Sequence, residues 1–198
     1  MRYLYGKYIM LLNNYKGRLL IAQPKCDSNF FKESVVLITR HNSYGAWGII
    51  INKPVPDPSC DLIDVFEHVG MENAVGANAP LYVGGPIERN RICLVHSNDW
   101  ASNSTLEISP ELSVTTDISV LAAISEGHGP SQFRACCGVS SWGPNQLEGE
   151  MKGQDPWTLK HRWLEVQGTE KNVFDTEPAL QWNTLLTQAV ELEVKEWF

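Results

Sequence analysis

The sequence predicts an α+β fold in one domain, with a mostly antiparallel sheet. Three observations predict it. Short β-branched, apolar runs recur, and neighbouring runs are joined by turn-forming residues, the signature of hairpins. Helical periodicity appears in three or four separate insertions and does not alternate strand by strand. A chain of 198 residues, 43% hydrophobic and 20% charged, is one ordinary globular domain that can bury a core without disulfides or metals.

The elements follow in order. Residues 1–10 read as a loosely attached extension of the single 1–198 domain, with Met10 an alternative start. Gly17–Pro24 (GRLLIAQP) is a short apolar strand. Ser34–Arg40 (SVVLITR) and Ala46–Asn52 (AWGIIIN) flank HNSYG, where Asn and Ser bond their own backbone and Gly permits positive φ, so 34–52 is a hairpin. Consecutive Ile49, Ile50 and Ile51 require burial on both faces. With the turn near Ser43–Tyr44, residue 41 pairs with about 46 and residue 35 with about 52. His41 and Asn52 then lie about 20 Å apart at roughly 3.3 Å per residue, too far to share a reaction centre. His41 reads as a surface turn residue.

Ser59 caps a helix over 60–69, with Leu62, Val65, Phe66 and Val69 on one face and Gly70 ending it. Pro80–Ile87 and Arg91–Ser97 flank ERNR as a second hairpin, which sets His96 opposite about Val83 or Gly84. Ser104–Ser109 and Leu112–Thr115 are strands. Thr116 or Asp117 caps a helix through Glu126, stopped by GHGP. Phe133–Val139 is a strand, and Pro144 suits the first turn of a short helix over about 144–152. Trp157–Val166 is a further strand. Pro178 opens a final helix with Trp182, Leu185, Leu186, Ala189 and Val190 on its apolar face.

Charge and cysteine usage exclude several functions. A net charge of −7 and the lack of any Lys/Arg run disfavour nucleic-acid binding, which needs cations to displace phosphate counterions. Cys26, Cys60, Cys93, Cys136 and Cys137 are odd in number and irregular in spacing, so they read as reduced thiols of a cytoplasmic protein. No run of 18 apolar residues is present to cross a membrane, and Lys7, Asn13, Asn14 and Lys16 interrupt any signal-like segment.

Nucleophile, phosphate-loop and metal patterns fail. GxSxG, CxxC, GxxxxGKS/T and GxGxxG are all missing, and neither Cys93 nor His96 has a partner at zinc spacing. No metal and no cofactor are therefore expected. Two stretches remain. Beside His96, the bare backbone of Gly84 and Gly85 could cradle an anion or a carbonyl. The preferred reading of the same glycines is a tight bend or bulge where another segment crosses, with His96 hydrogen-bonded inside. In SSWGPNQLEGE, Trp142 reads as a core plug, and Gln146 shares a helix face with Glu150. Glu148 and Glu150 point about 200° apart and form no catalytic dyad, so Gln146 or Glu148 is expected to bond loop backbone. The candidate ligand-binding set is Gly84, Gly85, His96, Trp142 and Gln146.

Five motifs occur in the order of a known family: LIAQP (Leu20–Pro24), SNFFKESVVLITRHNSYGAWGIIINKP (Ser28–Pro54), YVGGPI (Tyr82–Ile87), LVHS (Leu94–Ser97) and SWGPNQLEGEM with a later Trp (Ser141–Trp157). The chain resembles the YqgE/AlgH family over about residues 17–190. Cys137–Ser141 departs from the family's usual aromatic and small residues before Trp142. The resemblance implies a bacterial, cytosolic, single-domain α+β protein with an antiparallel, barrel-like sheet and flanking helices. One branch bears a name tied to regulation of alginate synthesis. No catalytic residue carries over from the family.

The expected function is a non-enzymatic ligand- or protein-binding, regulatory module. Its partner is a small molecule or a protein, with no nucleic acid and no membrane. The alternative is an acid–base enzyme working around His96, with Gly84, Gly85 and Glu148 or Glu150 beside it. A regulator that binds DNA directly is least favoured by charge. If His96, Gly84–Gly85 and residues 142–150 line one concave pocket, the enzyme or ligand reading gains; if they are scattered and packed, only the binding-surface reading survives.

Overall fold

The computed structural model describes residues 14–26, 28–56, 79–154 and 163–195. The expected helix over 60–69, Cys60, the first ten residues and the start of the Trp157–Val166 strand lie outside them. The strands are β1 (Arg18–Ala22), β2 (Val35–Asn42), β3 (Gly45–Ile50), β4 (Leu81–Val83), β5 (Ile87–Ser97), β6 (Leu106–Glu107), β7 (Leu112–Thr115), β8 (Phe133–Trp142) and β9 (Trp163–Gln167). The helices are α1 (Ser119–Ser125), α2 (Gln146–Lys152), α3 (Glu170–Phe174) and α4 (Pro178–Lys195).

The strands form one curled, half-barrel sheet in the order β6-β7-β5-β8-β3-β2-β1-β9, with β4 paired to β8 off this path. Among the described residues, every strand pairing is antiparallel except β4 with β8. At one end the curl brings the two edges together. The Glu111 carboxylate accepts from the Glu170 backbone N–H at 2.8 Å. A Cβ on Gly17 would lie 3.2 Å from the Ile108 carbonyl oxygen, so the chain before β1 touches the end of β6.

Both faces of the sheet are covered, which is why its strands read as unbroken apolar runs. The inner face buries Leu19, Ile21, Val35, Leu37, Ile49 and Ile51 with Leu185 and Ala189 of α4. The outer face of β1–β3 buries Leu20, Val36, Ile38 and Ile50 with Trp142, Trp163 and Leu147 of α2. The outer face of the other half buries Leu81, Leu94 and Ala135 under Val120, Leu121 and Ile124 of α1.

The β2–β3 hairpin forms where expected, with His41 opposite Ala46. A bulge between Ile38 and Arg40 shifts the register, so the Ile51 N–H donates to the Val35 carbonyl at 3.0 Å. Asn52 closes the hairpin base, accepting from the Val35 N–H at 2.8 Å. Ile49, Ile50 and Ile51 are all buried.

The second hairpin does not form. β4 runs parallel to β8, with Val83 beside Cys137, while β5 pairs with β8 through Ile92 at that same Cys137. The two strands therefore flank β8 on opposite edges. Gly84, Gly85 and Pro86 carry the chain across the β8 backbone between them. Ile87 and Ile92 then pair with Val139 and Cys137, so ERNR bulges out of β5 and does not fold back on β4. His96 consequently lies between Ser113 of β7 and Phe133 of β8, not beside Val83 or Gly84.

A second correction concerns α4. Val190 is 45% exposed, whereas Gln181 is fully buried and accepts from Arg134. The inward stripe of α4 is Gln181, Leu185 and Ala189, spaced four residues apart.

Candidate functional site

The residues singled out in the sequence fall into three separate places. Gly84 and Gly85 fill the crossing. A Cβ on Gly84 would stand 2.3 Å from the Gly138 carbonyl oxygen, and one on Gly85 would stand 2.0 Å from the Val139 carbonyl carbon. The Gly84 N–H donates to the Cys137 carbonyl at 2.7 Å, and its own carbonyl accepts from Ile50 at 2.8 Å. These glycines pack backbone on backbone, the crossing that the sequence favoured over a cradle.

His96 is fully enclosed. Its Nδ1 donates to the Ser97 carbonyl at 2.7 Å, the ring meets Trp100 edge-on at 5.6 Å, and Nε2 is buried without a partner. Burial lowers its pKa from the ordinary 6.5, so the ring is held neutral. His96 faces Phe133 and Gly84 sits by Cys137 and Gly138, roughly 15 Å along β8 at about 3.3 Å per residue. The structure does not bring them together.

Trp142 and Gln146 meet at Glu150. The Glu150 carboxylate accepts from Trp142 Nε1 at 3.0 Å, Trp163 Nε1 at 2.9 Å and Gln146 Nε2 at 3.0 Å. Gln146 Oε1 in turn accepts from the Gly143 N–H at 3.0 Å, the expected bond to loop backbone. This satisfied network ties α2 to the ends of β8 and β9.

His41 is not a surface turn residue. Its side chain is 3% exposed, its Nδ1 accepts from the Tyr15 N–H at 3.1 Å, and its Nε2 faces Glu148 Oε1 at 3.0 Å. An Nδ1 that accepts leaves Nε2 to donate to the carboxylate. The same half-turn that parts Glu148 from Glu150 sends one carboxylate to the hairpin tip and the other to the tryptophans. Glu148 is 107 residues from His41 in sequence, so no local signal reveals the pair.

Sequence reasoning also missed Arg134. It is 6% exposed, and its Nη1 donates to the Ile51 carbonyl at 2.6 Å and to Gln181 Oε1 at 2.7 Å. Nη2 donates to the Thr176 carbonyl at 3.1 Å, and the guanidinium lies 5.2 Å from the Tyr82 ring centre. The lone charge inside FRACCGV is the signal that could have found it.

A cleft of about 320 Å³ opens at the mouth of the half-barrel. Its floor is the end of the inner sheet face: Ile49, Cys93, Val114 and Val139. Trp47, 38% exposed, forms one wall, and Arg40 and Arg91 line the rim with Ser104 and Thr116. Among the described residues, no Asp or Glu lines it. Desolvation pushes the Cys93 thiol up to about 11, so it acts as an apolar floor residue and not as a nucleophile. Among the described residues, no group of three His, Cys, Asp or Glu side chains assembles for a metal, and no helix is long and apolar enough to cross a membrane.

Comparison with known proteins gives the relationship. The family model for AlgH-like proteins matches residues 19–192. A UPF0301 protein of Sphingopyxis alaskensis is 33% identical over 175 residues, spanning 88% of this chain and 89% of the relative. A UPF0301 protein of Methylococcus capsulatus is 34% identical over 174 residues, spanning 87% and 90%. The solution structure of the AlgH protein from Pseudomonas aeruginosa superposes with a TM-score of 0.72 at 27% identity, covering 90% of both chains. The crystal structure of DIP2367 from Corynebacterium diphtheriae shares the fold, with a TM-score of 0.66 at 20% identity over 88% and 86% of the two chains. The chain belongs to the AlgH-like family.

Proposed function

We propose that this AlgH-like protein is a non-enzymatic, cytosolic ligand-binding module, and that a small molecule occupies the cleft at the barrel mouth. The observation that carries this reading is the cleft itself. Five of the strands that build the inner core, with β6 at the edge, contribute to one concavity whose floor is apolar and whose rim is polar, the usual make-up of a small-molecule site. The two histidines nearest the sequence motifs are committed elsewhere. His96 is sealed in the core, and both ring nitrogens of His41 have partners. The output of binding is therefore a change in what the protein contacts, in keeping with a regulatory role.

A fragment screen followed by amide and indole NMR shifts tests the reading. Hits should shift the Trp47 indole together with Val114 and Val139. Hits that cluster at another surface, or a hit that is converted to product, would overturn it.

A further inference from the structure

We infer, resting on the ligand reading of this same cleft, that its ligand is a small organic anion with a flat, apolar body. Charge is the first argument. The chain has 23 acidic and 16 basic residues, yet among the described residues the cleft is lined by two arginines and no carboxylate. Three other hollows mix the signs: Lys32 with Glu33, Arg134 with Asp175 and Glu177, Arg91 with Glu88. Glu88 pairs with Arg91 from outside the lining, so among the described residues the unpaired positive charge at the rim is that of Arg40, and it attracts an anion to that spot.

Side-chain chemistry is the second argument. Among the described residues Arg40 has no ion-pair partner. Arg91 is steadied by Glu88, whose Oε2 accepts from Nη1 at 2.8 Å, leaving the rest of the fork open. Two guanidinium forks match the planar oxygens of a carboxylate, sulfonate or phosphate better than ammonium groups would. Glu88 holds this position from a left-handed backbone, φ 49°, within the ERNR bulge. The bulge therefore has a use: it sets Arg91 at the rim.

Shape is the third. Trp47 keeps 38% of its surface in water beside an apolar floor, so a flat body laid against the indole buries both. A volume of about 320 Å³ suits a compact body of up to three rings and not a long chain. Asp117 fixes the orientation. Its carboxylate accepts from the Ser119 N–H at 3.0 Å and from Ser104 Oγ at 3.1 Å, and hydrogen bonds from Ser119 first, then Ser102 and Ser104, hold its pKa down at about 2. The ligand's charge must point away from Ser104, toward Arg40 and Arg91.

Paired fluorescent probes test this on the full chain: 1-anilinonaphthalene-8-sulfonate, and N-phenyl-1-naphthylamine, which has the same rings without the sulfonate. The anionic probe should bind about tenfold tighter than the neutral one at low salt. Arg40→Gln should remove about five- to tenfold of the anionic probe's affinity, as expected for loss of a charge-assisted bond, and leave the neutral probe unchanged. Arg40→Lys should recover only part of that loss. Arg40 is exposed, so an unchanged melting temperature serves as the folding control. If both probes bind equally, depend on Trp47 and ignore Arg40→Gln, the anion inference falls and the ligand-binding cleft survives. If neither probe responds to Trp47→Leu, the cleft reading falls with it.

Discussion

Replacing Gly85 by alanine adds one methyl group where there is no room for it. The new Cβ would stand 2.0 Å from the Val139 carbonyl carbon, 2.1 Å from its oxygen and 2.4 Å from the Ser140 nitrogen. Ordinary contact needs about 3.5 Å, so the two chains must part by roughly 1.5 Å. The atoms in the way are backbone, and β8 is pinned there by Ile87 on Val139 and Gly48 on Ser140. The crossing must lift instead. Lifting breaks Gly84 N–H to Cys137 and Ile50 N–H to Gly84, at 2.7 and 2.8 Å. Two lost buried bonds at about 1–3 kcal/mol each put the cost on the order of 4 kcal/mol. Urea unfolding should then show a midpoint about 2 M lower with an unchanged slope near 2 kcal/mol/M. Gly127 is the control: nothing lies within 4 Å of its added Cβ, and only its φ of +75° opposes alanine, at about 1–2 kcal/mol. If Gly85→Ala costs no more than Gly127→Ala, the chain does not cross β8 at this point.

Three further predictions follow from buried groups. Burial lowers the pKa of His96 below the 6.5 of the unfolded chain, so the unfolded state takes up the proton first. Stability should be flat above about pH 6.5 and fall below it, and His96→Asn, which keeps a donor for Ser97, should flatten that slope in urea melts from pH 7.5 to 5.5. An unchanged slope would show that His96 does not titrate this way. His41→Ala should cost about 2 kcal/mol, where a surface turn residue would cost almost nothing, and a double-mutant cycle with Glu148→Ala should show at least about 1 kcal/mol of coupling. A coupling near zero would mean that the 3.0 Å contact is not held in solution. Burial raises the Cys93 thiol to about 11 and Cys136 further still, so neither should react with Ellman's reagent until the protein is unfolded. Fast native labelling at either position would refute their place in the core.

What the sequence made legible was local. The β2–β3 hairpin stands in HNSYG and three successive isoleucines, because turn chemistry and two-sided burial each leave a mark within a few residues. The short helix after Trp142 and its Gln146–Glu150 face were legible for the same reason. The β4–β8–β5 arrangement was not. A pair of glycines reads identically as a hairpin bend or as a crossing, and the partner that decides, Gly138, comes more than fifty residues later. Distance in sequence also hid the pairing of His41 with Glu148. The barrel-mouth cleft was hidden for a different reason. Each of its floor residues follows the ordinary inward alternation of a strand, so Ile49, Cys93 and Val139 look like any core position until the sheet curls.

The place of β8 in the sheet has a consequence for how the protein is made. This strand joins the two halves of the half-barrel, yet it leaves the ribosome after β3, β4 and β5, all of which it pairs with. Until residues 133–142 emerge, one edge of β3 and one edge of β5 have no partner in the chain. Open edges of apolar strands invite pairing with other chains, and distant pairings form slowly. The nascent protein is therefore most exposed to aggregation between synthesis of the first hairpin and arrival of this one strand. A synonymous change that slows translation just before Phe133 would lengthen that interval and lower the soluble yield, with the finished protein unaltered.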